Sequence, residues 1–383
     1  MYNICMNKWI SVSVGRPLTA AGARNRFETM RLLFSIAAGL LLCVILIVLV
    51  SDEPFRAMRY LFAGPLTTYN RMAEVIEKMQ PMLLTGCSFQ LMLVIGNFSL
   101  INDSCVVLAP CLICAPIILN EELFGGIPGE LGKIVWITVS CIASGVIGAA
   151  VSMLPPLIKR QFGCNEVITS SLMNSIFGFF AEWFVKHILY DEEAGLSASK
   201  PYPAQVKPTK LIYGSRVTTM ILVGLLFCVI TYFFLYHTKL GYAAQIVGAN
   251  PSFAMASGIP VKKVSLLVSA FAGAVAGFSG TLNTLSYNTR FSGFAANISD
   301  GMFCGIFAKS NPLLLPVAAF GLGYLRVTAE TMGNNTDVPI ELITVMTSFI
   351  IMMLAADQLF HKQIDSYIVR HFAHTPEERE RRA

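Results

Sequence analysis

Residues 134–156 read IVWITVSCIASGVIGAAVSMLPP, apolar and small side chains without a single charge. A helix needs ~20 such residues to cross the hydrocarbon core of a bilayer, so this stretch is long enough to span. It lacks the alternation of a transmembrane barrel, whose strands run ~10 residues. Comparable stretches, with few or no charges, lie at 32–50, 81–99, 104–120, 166–187, 214–236, 264–285, 293–309, 312–329 and 339–357. The sequence therefore predicts an all-α, polytopic membrane protein with about ten transmembrane helices. The third and eighth stretches, 104–120 and 293–309, are short, and each is expected either to cross or to form a re-entrant or broken helix.

Composition points the same way. Of 383 residues, 55% are apolar and 13% charged, against about 25% charged in a soluble domain; mean hydropathy is +0.62. Such a chain lacks the polar surface to cover itself in water, which excludes a soluble enzyme, a nucleic-acid-binding module and a disordered scaffold. The cysteines are scattered, and most, such as Cys43, Cys87, Cys141, Cys228 and Cys304, sit inside apolar stretches. There a thiol behaves as a small hydrophobe, and no disulfide framework is expected. Cys111 and Cys114 form a C-x-x-C without a nearby His or second pair to complete a metal site.

Basic residues set the orientation. With the N-terminus in the cytoplasm, Arg24, Arg26, Arg31, Lys159–Arg160, Lys239, Lys262–Lys263, Lys309 and the tail basics from Lys362 to Arg382 all fall inside. Both termini are thus placed in the cytoplasm. Residues 1–30 form a basic segment, 31–360 the transmembrane domain and 361–383 a charged, solvated tail. No small-residue cleavage site follows the first stretch, which is expected to stay as a helix. Two segments fall outside. Residues 51–80 mix aromatic and charged side chains at helical spacing, as an interfacial helix does. Residues 188–212 carry Pro201, Pro203 and Pro208, as an exposed linker does, with Tyr190, Tyr202 and Tyr213 at headgroup depth.

The cytoplasmic loop 239–263 holds GYAAQIVGANPSFAMASGIPVKKV (241–264). Asn250 suits an N-cap and Pro251 the first helical position. Gly258 suits the left-handed residue after a helix, and Pro260 forbids its continuation. A helix of about seven residues, near 10 Å long, cannot span. It is also marginal alone in water, so Phe253, Met255 or Ile259 must dock, either on this chain or on a partner.

No G-x-x-x-x-G-K-[ST], H-E-x-x-H or G-x-S-x-G occurs, so nothing points to an enzyme and no cofactor is expected on this chain. Ionisable groups within spans are functional candidates by default. They are Asp300, Asp103, Glu166, Glu182 and Arg326, the last near the outer end of its stretch. Asp300 is expected either to act on solute or to cap a broken half-helix. Glu166 and Glu341 stand at helix N-termini, where a carboxylate complements the dipole. Neutral polar residues are plentiful: Ser88, Gln90, Asn97 and Ser99 along and after the second stretch, and Asn165, Thr169, Ser170, Ser171, Asn174 and Ser175 about the fifth. They suit an uncharged, hydroxyl-rich solute, or they hold helices together. Ser269, Gly273, Gly277 and Gly280 form a small-residue packing stripe.

Residues 163–174, GCNEVITSSLMN, resemble a signature stretch of ABC-importer permeases for nucleosides and simple sugars, in the branched-chain-amino-acid/ribose permease superfamily. Gly241–Ile259 is similar to that family's cytoplasmic loop. Asp300-Gly301, followed by Lys309-Ser310-Asn311-Pro312, is similar to its D-G motif, and Ile76–Gly86 to the start of its second helix. The resemblance implies a second permease, identical or related, lipid around both, an external solute-binding protein and no nucleic acid. It places the chain in the plasma membrane. It implies a separate ATPase, which binds the ATP and docks on Gly248, Asn250, Pro251, Phe253, Ala254, Met255, Gly258 and Ile259. The solute path is expected along Ser88, Gln90, Asn97, Ser99, Asn165, Ser170, Ser171, Asn174 and Asp300. Two stretches depart from the family. Phe98–Cys105 reads FSLINDSC where glycines, a Glu and a Gln are common, and Ala243, Ala244, Ala254 and Met255 replace charged residues. A stand-alone secondary transporter or channel is the alternative, and it would depend on Asp300.

Overall fold

The computed structural model describes residues 41–119, 130–191, 199–200, 202, 207–209, 211, 216–287, 290–291, 299–308, 311–339, 342, 345–346, 348–349 and 352. The expected basic segment 1–30, the tail 361–383, most of the linker 188–212, Tyr213, Lys309, Ser310 and Glu341 lie outside the described residues.

The described residues are all-α, with one isolated bridge between Tyr190 and Ser199. In order, the helices are α1 Leu41–Val50, α2 Pro54–Ala63, α3 Tyr69–Val94, α4 Ile101–Leu119, α5 Glu130–Ser152, α6 Leu154–Phe162 and α7 Glu166–Ile188. There follow α8 Met220–His237, α9 Lys239–Ala249, α10 Pro251–Ala256, α11 Val261–Tyr287, α12 Ser299–Phe307 and α13 Leu315–Asn335. Four helical stretches among the described residues are long and apolar enough to cross a membrane: Ile134–Phe162, Met220–His237, Val261–Tyr287 and Pro312–Asn335. The chain divides into two compact units. In the smaller (1–50 and 344–383), Cys43 and Ile47 of α1 are buried, and the Cys43 thiol lies 3.9 Å from the Met346 carbonyl. The larger is Ser51–Ile343 and holds α2 to α13.

Lipid tails are as apolar as leucine, so helices in a bilayer associate through close packing and hydrogen bonds. The α5–α11 seam shows both. A Cβ on Gly273 would stand 2.3 Å from the Gly148 carbonyl oxygen, and one on Gly148 2.2 Å from that of Gly273. Ser144 Oγ, one turn away, donates to the Gly277 carbonyl at 3.0 Å. The small-residue stripe is therefore a backbone-to-backbone contact. On the opposite flank, α4 and α7 run parallel in register. The Leu100 N–H donates to Ser170 Oγ, Ser104 Oγ to the Asn174 carbonyl and Cys111 Sγ to the Ala181 carbonyl, each pair 70 residues apart.

Two prolines inside helices are accommodated by neighbours. Pro81 in α3 has no N–H for the Glu77 carbonyl one turn back. The Tyr287 hydroxyl of α11 supplies that hydrogen bond at 2.8 Å. Pro110 in α4 likewise frees the Val106 carbonyl, and Gly280 of α11 closes over it, where a Cβ would stand 2.1 Å away.

Some boundaries differ from those expected. α3 is 26 residues long and starts at Tyr69, so the segment 51–80 holds the short α2 and the first turns of α3. The charges that suggested a boundary are paired: Arg71 with Glu74 at 3.0 Å, and Lys78 with Glu330. α4, with 19 residues, is continuous through both of its prolines. Of the eighth stretch the described residues hold α12, Ser299–Phe307.

Candidate functional site

The residues expected along a solute path fall into three groups. Ser88 of α3 lies in a closed polar knot. Its hydroxyl donates to the Ala272 carbonyl at 2.7 Å and accepts from Asn102 Nδ2 at 2.7 Å, while Ser152 Oγ donates to Asn102 Oδ1 at 3.3 Å. All three side chains are fully buried, and the knot joins α3, α4, α5 and α11. Gln90 is fully buried as well. Asn102 and Ser152 were not singled out from sequence. Asn102 lies in FSLINDSC, the stretch that departs from the family, and that departure was the available signal.

The second group surrounds the α3–α4 turn. Gly96 adopts φ 76° there, Asn97 Nδ2 donates to Ser265 Oγ at 2.8 Å, and Ser99 is buried. Ser170 is buried against Leu100, and Asn174 Oδ1 accepts from Ser104. Asn165 caps α7 by accepting from the Val167 N–H at 2.9 Å, and Glu166 in the first turn pairs with Lys159 at 2.9 Å. Ser171 is exposed on the outer face of α7.

The third group is Asp300 in the first turn of α12. It meets Arg326 Nη2 of α13 at 2.5 Å. Arg326 lies midway along α13, because that helix continues to Asn335 rather than stopping near 329. Asp300 is buried. The pairing was not anticipated, although opposite charges in neighbouring spans are the usual way such groups are tolerated.

The loop 239–263 folds as its local signals predict. Asn250 Oδ1 accepts from the Phe253 N–H at 3.1 Å, and Pro251 opens the six-residue α10. Gly258 takes φ 78°, its N–H bonds to the Met255 carbonyl and that of Ile259 to the Ala254 carbonyl, both at 3.0 Å. Those two bonds satisfy carbonyls that a helix end otherwise leaves open. Phe253 and Met255 are each 61% exposed. Two of the expected docking residues face inward instead. Ala254 is fully buried beneath the helix, and Gly248 presses on the end of α3, where a Cβ would stand 1.9 Å from the Val94 carbonyl oxygen.

Long apolar helices packed through small residues and interhelical hydrogen bonds are those of a multi-pass membrane protein. The chain belongs to the family described as the branched-chain amino acid transport system, permease component, whose model matches residues 71–356. It is similar to the nucleoside ABC transporter permease protein NupB of Lactococcus lactis subsp. cremoris, with 26% identity over 335 residues, 84% of this chain and 89% of that one. The guanosine ABC transporter permease protein NupP of Bacillus subtilis is 25% identical over 228 residues, 57% of this chain and 64% of that one. The glucose ABC transporter permease protein TsgB13 of Haloferax volcanii is 21% identical over 351 residues, 86% and 87% of the two chains. The chain is thus a multi-pass membrane transport component rather than an enzyme. Family membership implies an ATPase and a solute-binding protein as partners.

Proposed function

We propose that this chain forms half of the path of an ABC importer for a neutral polar solute, a nucleoside or simple sugar, in the plasma membrane. A second permease, identical or related, supplies the other half. The chain itself holds no cofactor, and ATP binds the partner ATPase. The observation that carries the reading is α10: a helix too short to be stable alone, capped at both ends, with Phe253 and Met255 bare. Such a helix suits a groove on another protein. ATP-driven closure of the ATPases would push α10, and through the Gly248–Val94 contact the end of α3. Helices locked by backbone contacts, such as α5 and α11, would tilt as one body between outward- and inward-open forms. The relatives named for nucleoside, guanosine and glucose transport support an uncharged cargo.

Phe253→Asp is the direct test. It places a charge on an exposed position, so membrane insertion should be unchanged, while ATPase co-purification should fall at least tenfold. Co-purification at normal yield would sink the coupling assignment.

A further inference from the structure

We infer that Arg326, held in place by Asp300, is a specificity-determining residue that reads a hydrogen-bond acceptor beside a donor on the neutral solute; the inference rests on the permease reading above. Depth comes first. Gly301, next to Asp300, packs on α3 so closely that a Cβ there would stand 1.9 Å from Thr85 Oγ1, and Gly86 sits against the Gly301 carbonyl. Thr85 and Gly86 lie well inside the 26-residue α3, and Arg326 is midway along α13. Asp300 thus lies against the interior of the bundle, the depth at which transporters place their solute sites.

Exposure comes second. The Arg326 side chain is 32% exposed, whereas that of Asp300 is 3%. A guanidinium at such depth is costly against lipid. Its open side therefore faces water or another protein, which is what the wall of a solute path does.

Unused bonding capacity comes third. The ion pair uses Asp300 Oδ1 and Arg326 Nη2. Asp300 Oδ2 and Arg326 Nε are both buried and have no hydrogen-bond partner among the described residues. Leaving them unmet costs free energy that an apolar pair would not incur. One is an acceptor and the other a donor, on groups already fixed together, and the pair is neutral as a whole. The complementary ligand is neutral and offers a donor next to an acceptor. The amide edge of a nucleobase and neighbouring hydroxyls of a sugar both do so. α12 packs chiefly on α3 and α13, so its movement during the transport cycle is the step that would uncover both atoms.

The test uses the complete transporter in proteoliposomes, with labelled guanosine and labelled glucose as probes. Competitors are purine riboside, which lacks the amide edge, and 2′,3′-dideoxyguanosine, which lacks the hydroxyls. Arg326→Lys keeps the charge and the ion pair but removes the Nε donor. The expected result is normal ATPase co-purification and normal membrane yield. KM for the transported probe should rise tenfold or more, and discrimination against one competitor should be lost. Unchanged KM and unchanged discrimination would overturn the inference. The exchange of both charges, Asp300→Arg with Arg326→Asp, is the second arm. It should keep wild-type yield and thermal stability but lose wild-type discrimination; wild-type discrimination would show a purely structural pair and overturn the inference. A wild-type complex that hydrolyses ATP but carries neither probe also overturns it and leaves the permease reading intact. A wild-type chain that recruits no ATPase defeats the permease reading itself.

Discussion

Gly273→Ala probes the seam on which the rigid part of the bundle depends. The added methyl would stand 2.2 Å from the Ser152 Cβ, 2.3 Å from the Gly148 carbonyl oxygen and 3.0 Å from the Gly148 carbonyl carbon. Two of these are backbone atoms that no rotamer change can move, so α5 and α11 must separate by roughly 1 Å. Overpacking of this kind costs about 1–3 kcal/mol. Separation also stretches the bond from Ser144 to Gly277, and an interhelical hydrogen bond in a membrane is worth about 0.6 kcal/mol on average. Together the loss should be about 2–4 kcal/mol. Thermal unfolding in detergent, followed by the monodisperse fraction after heating, should show a midpoint several degrees below wild type. Gly321→Ala is the control, because a Cβ there meets nothing within 4 Å and alanine is the better helix former. If Gly273→Ala were as stable as Gly321→Ala, the claim of backbone contact would be wrong.

Tyr287→Phe should strand the Glu77 carbonyl that Pro81 leaves open, at a cost of about 1–3 kcal/mol. Adding Pro81→Ala restores an N–H to that carbonyl, so the double variant should recover most of the loss in the same melting assay. At Asp337 the Ser51 hydroxyl and the Asp52 N–H hold the carboxyl below the usual carboxylate range. A lowered pKa in the folded state adds stability above the unfolded value and loses it as pH falls through the folded one. Acidification below about pH 4 should therefore lower the protection factor of the Asp52 amide against hydrogen exchange, and Asp337→Asn should remove that pH dependence.

Local signals were the most legible part of the chain. Asn250, Pro251 and Gly258 each act within one turn, and α10 begins and ends where they place it. Span boundaries were less so, because charge was read as an edge. Arg71 and Lys78 belong to α3 since each has an acidic partner, and Glu330 lies far away in sequence. Facing was least legible. A six-residue helix is too short to show a period, so nothing distinguished buried Ala254 from exposed Phe253 and Met255. The small polar residues of the fifth stretch, Thr169, Ser170, Ser171, Asn174 and Ser175, share no single helix face, and only packing turns Ser170 inward while Ser171 stays exposed. Asp300 and Arg326 were visible as candidates, but their pairing joins two different helices, and no sequence period links those two.

The most direct measurement of the central claim is guanosine uptake by liposomes carrying this chain, with and without its ATPase, binding protein and ATP. Uptake should require all three and vanish when ATP is replaced by a non-hydrolysable analogue. Equal uptake by the chain alone, without nucleotide, would contradict the account.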